Sequence, residues 1–362
     1  MAVTETERRA SERQTALVDC DIHNAPASRQ QLGKHMPARW RRHHEQLGGR
    51  GHTGASYPRE HDHAARTDAW PPSGQAPGSD LGFLRHQLLD TWGIDYGILN
   101  TLIGAGSQRN LEYGAAFARA INEWLVEEWL EPEPRLRASI AVAYEAPDLA
   151  AQEIDRVAGD ARFVQALLSV RTSEPLGRRK YWPMYEAAVR HDLPVGIHFG
   201  GAGGGPITGV GFPSFYIEDH AGMSTVFQSQ VVSMVAEGIF ERFPTLRIVL
   251  IEGGFGWLPP LMWRLDAAYG RLREEVPHLT RLPSEYIRDH FWLTTQPVEE
   301  PAEPAHFRQL LEHLDMDGRL MFATDYPHWD FDAPDRAIPP GLSPALRRAI
   351  MAGNAVQLYG LR

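Results

Sequence analysis

Apolar residues fall into two patterns along this chain. Short, nearly continuous apolar runs at 16–21, 96–102, 136–142, 163–168, 195–199, 246–251, 291–294 and 320–323 read as eight strands. Continuous apolarity, without alternation, is what a parallel strand buried on both faces shows. Between these runs lie stretches whose apolar residues recur at helical spacing. The clearest is 111–130, with Phe117, Ile121, Trp124, Leu125 and Trp129 along it and Pro132 and Pro134 stopping it. Helices are also expected at 83–91, 147–158, 181–191, 225–240, 258–276, 304–314, 344–351 and 354–359. Pro183 is tolerated because it falls in a first turn. Strands alternating with helices, without internal repeats or a linker, predict an α/β fold: one distorted (β/α)8 barrel of TIM type. An open doubly wound sheet would favour a Gly-x-Gly-x-x-Gly turn after its first strand, and none follows it here.

Two segments break the alternation. The Pro-, Gly-, His- and Arg-rich stretch 24–79 is too long and too aperiodic for a connector, and predicts an insertion or lid after strand one, with a helix near 40–44. The glycine-rich run 200–211 predicts a mobile loop at the site or a second lid. Residues 1–14 are polar and charged, read as a disordered tail and not as a signal peptide, which leaves 15–362 as one domain.

Composition narrows the function. The formal net charge of −10 gives no basic face for nucleic acid. No apolar run reaches the ~20 residues of a membrane helix. Cys20 is the only cysteine, so a disulfide within the chain and a thiolate metal cluster are excluded, and a cytoplasmic protein is expected.

The chemistry lies at strand ends. Asp21 and His23 close strand one, His198 closes strand five and Asp325 follows strand eight. Asp21 and His23 are two apart on extended chain, so both face one side, and Cys20 is expected to point outward into the strand–helix layer. Singly, each residue reads equally well as a loop cap or a structural group. Jointly, imidazoles and carboxylates after strands one, five and eight point to a divalent metal site, Zn²⁺ or Mn²⁺, at the open end of the barrel.

These residues, Asp21-x-His23, His198 and Asp325-Tyr326-Pro327-His328, together resemble the amidohydrolase superfamily. The branch they resemble contains aminocarboxymuconate-semialdehyde decarboxylase and related non-oxidative aromatic decarboxylases. The resemblance extends over 238–247, the turn Glu252-Gly253-Gly254-Phe255-Gly256-Trp257, Thr295-Gln296-Pro297 and Asn354-Ala355. It implies one divalent ion held by Asp21, His23, His198 and Asp325, with Asp325 also shuttling a proton. It further implies a small aromatic or unsaturated carboxylic acid as substrate, and a homodimer. The family's first position is often His; Asp21 hardens the site and tilts it towards Mn²⁺. Ser169-Val170-Arg171 offers no lysine for a carbamate bridging a second ion.

Glu252 stands where the decarboxylases carry a histidine acid/base. It reads as a general base or as a cap on its turn. As a base it favours the competing reaction, metal-assisted hydrolysis of an amide, lactone or carbon–carbon bond. His220 could take the acid/base role, Arg171 could pair with a substrate carboxylate, and His328 could orient Asp325. Phe199 and Trp257 are candidate aromatic walls. The histidines of the insertion (His35, His43, His44, His52, His61, His63) are irregularly spaced and read as solvated. A barrel that has lost catalysis and only binds is the remaining alternative.

Overall fold

The computed structural model describes residues 17–49, 62–201, 203, 206 and 208–362. The expected tail, His52 and His61, and positions 202, 204–205 and 207 of the glycine-rich run lie outside the described residues. Eight strands form one sheet in chain order: β1 (Val18–Ile22), β2 (Tyr96–Leu99), β3 (Leu136–Ala141), β4 (Phe163–Ser169), β5 (Val195–His198), β6 (Ile248–Ile251), β7 (Phe291–Thr294) and β8 (Leu320–Met321). Each pairs in parallel with the next. The sheet closes on itself: Cys20 N–H donates to Phe322 O (2.9 Å), Asp325 N–H to Asp21 O (3.1 Å) and His23 N–H to Tyr326 O (2.7 Å). The result is the (β/α)8 barrel that the alternation predicts.

Alternate strand positions separate two apolar clusters. Leu99, Ile248, Leu250, Phe291, Leu293, Leu320 and Phe322 join the helices in a large outer core. Ile98, Val249, Ile251, Trp292 and Met321 form a smaller cluster on the other face, the barrel interior. Ala355 and Leu358 of the C-terminal helix Asn354–Tyr359 pack into that interior, beside Val18 where β1 begins.

Cys20 corrects the expectation from alternation. It belongs to the interior cluster with Val18, not to the strand–helix layer. The pairing of β1 with β2 shifts register between Asp19 and Ile22, and this irregularity breaks the period of two. It lets Cys20 line the interior while Asp21 still reaches the site.

The helices differ from expectation mainly at their ends. The stretch 225–240 divides into Ser224–Ala236 and Ile239–Arg242, because Gly238 adopts a left-handed conformation (φ 72°). Besides the short helix Arg29–Gly33 of the insertion, periodicity does not mark two helices, Tyr216–Gly222 and Pro283–His290. Both carry a glutamate at the third position that accepts from the backbone ahead of the helix, Glu218 from Phe215 N–H and Glu285 from Leu282 N–H.

The described part of the insertion docks on the barrel through helices Arg29–Gly33 and Ala38–Leu47. His44 Nδ1 lies 2.7 Å from Tyr113 Oη, on helix Leu111–Leu125. The insertion returns directly over the end of β1, where Ala25 N–H donates to Gly78 O (2.9 Å). Gly78 has φ 72°, and a Cβ there would sit 2.5 Å from His23 O, so glycine is needed on both counts.

Candidate active site at the open end of the barrel

The strand ends bring the expected ligands together. Asp21, His198 and Asp325 are fully buried and His23 nearly so. His23 Nδ1 donates to Asn100 O (2.7 Å) and His198 Nδ1 to Phe199 O (2.8 Å). Each ring is thereby oriented with Nε2 towards carboxylates. His198 Nε2 lies 3.2 Å from Asp21 Oδ2 and 3.3 Å from Glu252 Oε2. His23 Nε2 lies 3.4 Å from Asp21 Oδ1 and 2.8 Å from Asp325 Oδ1. Tying the remote ring nitrogen to a carbonyl is how proteins fix imidazoles for metal binding.

Among the described residues, Asp21, His23, His198 and Glu252 each offer one ligand atom, and the four atoms lie within 4.8 Å of one another. Asp325 joins His23 and His328 in a second such group. Asp325 and Glu252 both have positive φ (62° and 58°). Positive φ is strained for residues with a Cβ, and such strain gathers at functional positions.

Electrostatics favour a bound cation. Burial would raise the Asp21 carboxyl, but the neighbouring His23 and His198 outweigh it and hold it low. Asp325 is likewise driven below the ordinary carboxylate range against its burial, by His328 and His23. His23 responds in reverse: burial opposes its charge, yet Asp21 and Asp325 push it up to about 9. Ionised carboxylates packed around two imidazoles, away from water, leave negative charge that a divalent cation neutralises. Oxygen and nitrogen donors at these spacings fit one divalent ion.

The other expected residues divide. His328 lies at the centre: its Nδ1 donates to Asp325 Oδ1 (2.7 Å), and its ring stacks on His23 (4.5 Å). His220 pairs instead with Asp330 Oδ2 (2.9 Å), which raises its pKa against burial. Arg171 Nη2 donates to Asp219 Oδ1 (2.6 Å), and the guanidinium lies 4.8 Å over the Phe199 ring. Trp257 turns its indole N–H onto the carbonyls of Gly253 (2.8 Å) and Gly254 (3.1 Å), so its polar edge serves the turn. Among the described insertion histidines, His35, His43, His44 and His63, none joins a group of metal donors.

Sequence reasoning missed the residues around this set. Asn100 Nδ2 donates to Asp21 Oδ1 (2.8 Å), while Asn100 Oδ1 accepts from Ser139 Oγ (2.5 Å) and Gln165 Nε2 (3.2 Å). Gln296 Nε2 bridges Asp325 Oδ2 (3.2 Å) and Asp330 Oδ2 (3.0 Å). Within β1, Asp19 accepts from Thr324 Oγ1 (2.6 Å), and burial pushes its carboxyl up to about 7. Asn100 does follow an apolar strand, and Gln296 sits within a motif already noted; position at a strand end was the available signal.

Over residues 18–361 the sequence matches the family described as Amidohydrolase. It is 28% identical to the gamma-resorcylate decarboxylase of Polaromonas sp. (strain JS666 / ATCC BAA-500) over 305 residues, covering 78% of this chain and 88% of that protein. The same identity, over 315 residues, holds for the gamma-resorcylate decarboxylase of Rhodococcus jostii (strain RHA1), covering 79% and 90%. Among solved structures, the 5-carboxyvanillate decarboxylase of Novosphingobium aromaticivorans DSM 12444, complexed with manganese and 4-hydroxy-3-methoxy-5-nitrobenzoic acid, shares the fold. Its TM-score is 0.72 at 19% identity, covering 97% of each chain.

Proposed function

The chain belongs to the amidohydrolase family, and on that footing we propose that it is a metal-dependent carboxy-lyase of a small aromatic or unsaturated carboxylic acid. The observation that carries this reading is the convergence of Asp21, His23, His198 and Asp325 at the strand ends, in a chain whose curated relatives are gamma-resorcylate decarboxylases.

Asp21, His23, His198 and Asp325 would hold the ion; Asp325 Oδ1 lies 2.8 Å from His23 Nε2, the atom through which that ring would bind it. The chemistry such an ion supplies when bound is a fixed positive charge that anchors an anionic substrate and polarises its oxygens. Arg171, stacked on Phe199, offers a guanidinium to the substrate carboxylate. Asp325 moves the proton. Its Oδ1 faces His328 Nδ1, and its Oδ2 faces the Gln296 amide. Ionised at rest, Asp325 takes a proton from His328 Nδ1 onto Oδ1 and delivers it to the ring carbon that bears the carboxylate. The bond from that carbon to the carboxylate then breaks, its electron pair restores the ring, and carbon dioxide leaves. His328, whose side chain reaches solvent while Asp325 does not, regains its proton from water. Burial of Asp21, His198 and Asp325 keeps bulk water from these groups.

The hydrolytic alternative rested on Glu252 as a base. Its carboxylate is turned to His198, which supports decarboxylation over hydrolysis. The hard donor set supports Mn²⁺ over Zn²⁺. Val210, Phe212, Phe215 and Ile217 form an exposed apolar run, which supports a homodimer. Among the described residues no helix is long and apolar enough to cross a membrane, consistent with a cytoplasmic enzyme.

The test is carbon dioxide release by Mn²⁺-loaded protein from hydroxybenzoic acids, including 2,6-dihydroxybenzoate and 5-carboxyvanillate, without oxidant. Release from one of them, abolished by chelation, is expected. Hydrolysis of esters or lactones with no release from any acid would overturn the proposal.

A further inference from the structure

Glu252 is a buried carboxylate just past the end of β6, within the cluster of ligand-type side chains, and the surrounding structure gives it a role. We infer that Glu252 is a further metal ligand beside Asp21, His23, His198 and Asp325, and that Glu299 is a positioning residue that holds it there. The inference rests on the metal-dependent reading for the presence of an ion and is independent of the reaction catalysed.

Glu252 is only 5% exposed, and its Oε2 lies 3.3 Å from His198 Nε2. The opposite ring nitrogen, Nδ1, is committed to the Phe199 carbonyl, so Nε2 is the atom through which this imidazole would bind an ion. Glu252 therefore faces the same point as His198, Asp21 and His23, and its ligand atom lies within 4.8 Å of theirs. A carboxylate in that place is acceptor-only when ionised, which suits it to a cation.

The turn is built to hold Glu252 in that direction. Glu252 has φ 58°, and its N–H donates to Thr294 Oγ1 (3.1 Å) on β7. The rest of the turn is clamped from the loop after β7. Glu299 Oε1 accepts from Phe255 N–H (2.9 Å) and Gly256 N–H (2.5 Å). The glycines are needed for this approach: a Cβ at Gly254 or Gly256 would stand 3.0 or 2.9 Å from the Glu299 carboxylate. Trp257 fastens the other side of the turn through the Gly253 carbonyl. β7 and its loop thus determine where Glu252 points. Groups of this kind, one step behind the ligands, typically change metal affinity about 10–100-fold when removed.

A carboxylate in place of imidazole also changes which ion is preferred. Oxygen donors suit Mn²⁺, whereas imidazole favours Zn²⁺. The carboxylate at position 252 makes the site harder and more anionic than a histidine there would.

The experiment is metal titration of the chelator-stripped full chain, followed by calorimetry and by Mn²⁺ paramagnetic resonance, with the Co²⁺ absorption spectrum as a ligand-sensitive signature. Wild type is expected to bind one ion per chain. Glu252→Gln should weaken Mn²⁺ binding at least tenfold and alter the Co²⁺ spectrum. Glu252→His should retain an ion while shifting the Zn²⁺:Mn²⁺ affinity ratio at least tenfold towards Zn²⁺. Glu299→Ala should weaken Mn²⁺ about tenfold, and Glu299→Gln, which keeps an oxygen acceptor for both N–H groups, should recover most of that loss. A folded Glu252→Gln or Glu252→His with wild-type Mn²⁺ affinity and Co²⁺ spectrum would overturn the assignment, whatever its activity, and leave Glu252 as an acid/base group. Wild type that binds no ion would overturn the metal-dependent reading as well.

Discussion

At the scale of single residues, Asp325 divides its work between two oxygens. Oδ1 takes the imidazoles and Oδ2 takes the Gln296 amide. Asp325→Asn keeps the shape but removes the group that gives up a proton. Carbon dioxide release should fall about 10²–10⁴-fold, the usual contribution of general acid catalysis, while circular dichroism stays unchanged. Retention of more than a tenth of the rate would remove Asp325 from the proton path. Asn100 acts one step further out. Asn100→Ala strips a donor from Asp21 Oδ1 and leaves Ser139 and Gln165 with a lost acceptor. Mn²⁺ affinity should drop about 10–100-fold, and denaturant unfolding should show a loss of about 1–3 kcal/mol. Unchanged affinity in calorimetry would show that Asp21 needs no such support.

At the scale of elements, close passages of chain hold the site in shape. The insertion crosses the end of β1 at Gly78, where a methyl group would press on the His23 carbonyl at 2.5 Å. Gly78→Ala combines that contact with a strained φ, so a loss of about 1–3 kcal/mol is expected, with weaker metal binding because His23 is displaced. Equilibrium denaturation and metal titration would check the two effects separately; a stable Gly78→Ala with normal affinity would mean that the insertion does not bear on β1. Helix and strand ends follow the same logic. β8 pairs with β7 only over Leu320–Met321; beyond it Phe322 O still accepts from Cys20 N–H at the barrel seam before the chain turns at Asp325 (φ 62°). Hydrophobicity alone extended that strand to 323, since Phe322 and Ala323 are buried whether or not they pair in the sheet.

At the scale of the whole molecule, stability should respond to metal and to acid. An ion bound only by the folded barrel adds about 2.7 kcal/mol at a hundredfold excess over Kd. Chelation should therefore lower the melting temperature, and Mn²⁺ should restore it in a concentration-dependent way; a melting temperature indifferent to both would argue against a site formed by folding. Acid acts through Glu133, nearly buried and bridged to Arg85 (2.6 Å) and Arg135 (2.9 Å). Arg135 chiefly, then Arg85, outweigh burial and lower its pKa from 4.5 to about 2. A depressed folded pKa stabilises above the unfolded value and is lost as pH falls through the folded one. Glu133→Gln should thus be less stable than wild type at pH 7 by about 2 kcal/mol, with the difference vanishing as pH drops towards 2. A difference that stays constant with pH would place the effect in packing. The sequence by itself determined the barrel, because eight doubly buried strands alternating with amphipathic helices admit few other closures. It also determined the metal-binding character, because Asp21, His23, His198 and Asp325 each end an apolar run, and strand ends share one face of a barrel. Tertiary structure alone decided which carboxylate faces which imidazole. The side Cys20 faces depends on a register shift between β1 and β2, which apolar pattern does not record. The direction of Glu252 depends on Thr294 and Glu299, 42 and 47 positions away in the chain, and contacts that distant leave no local period to read.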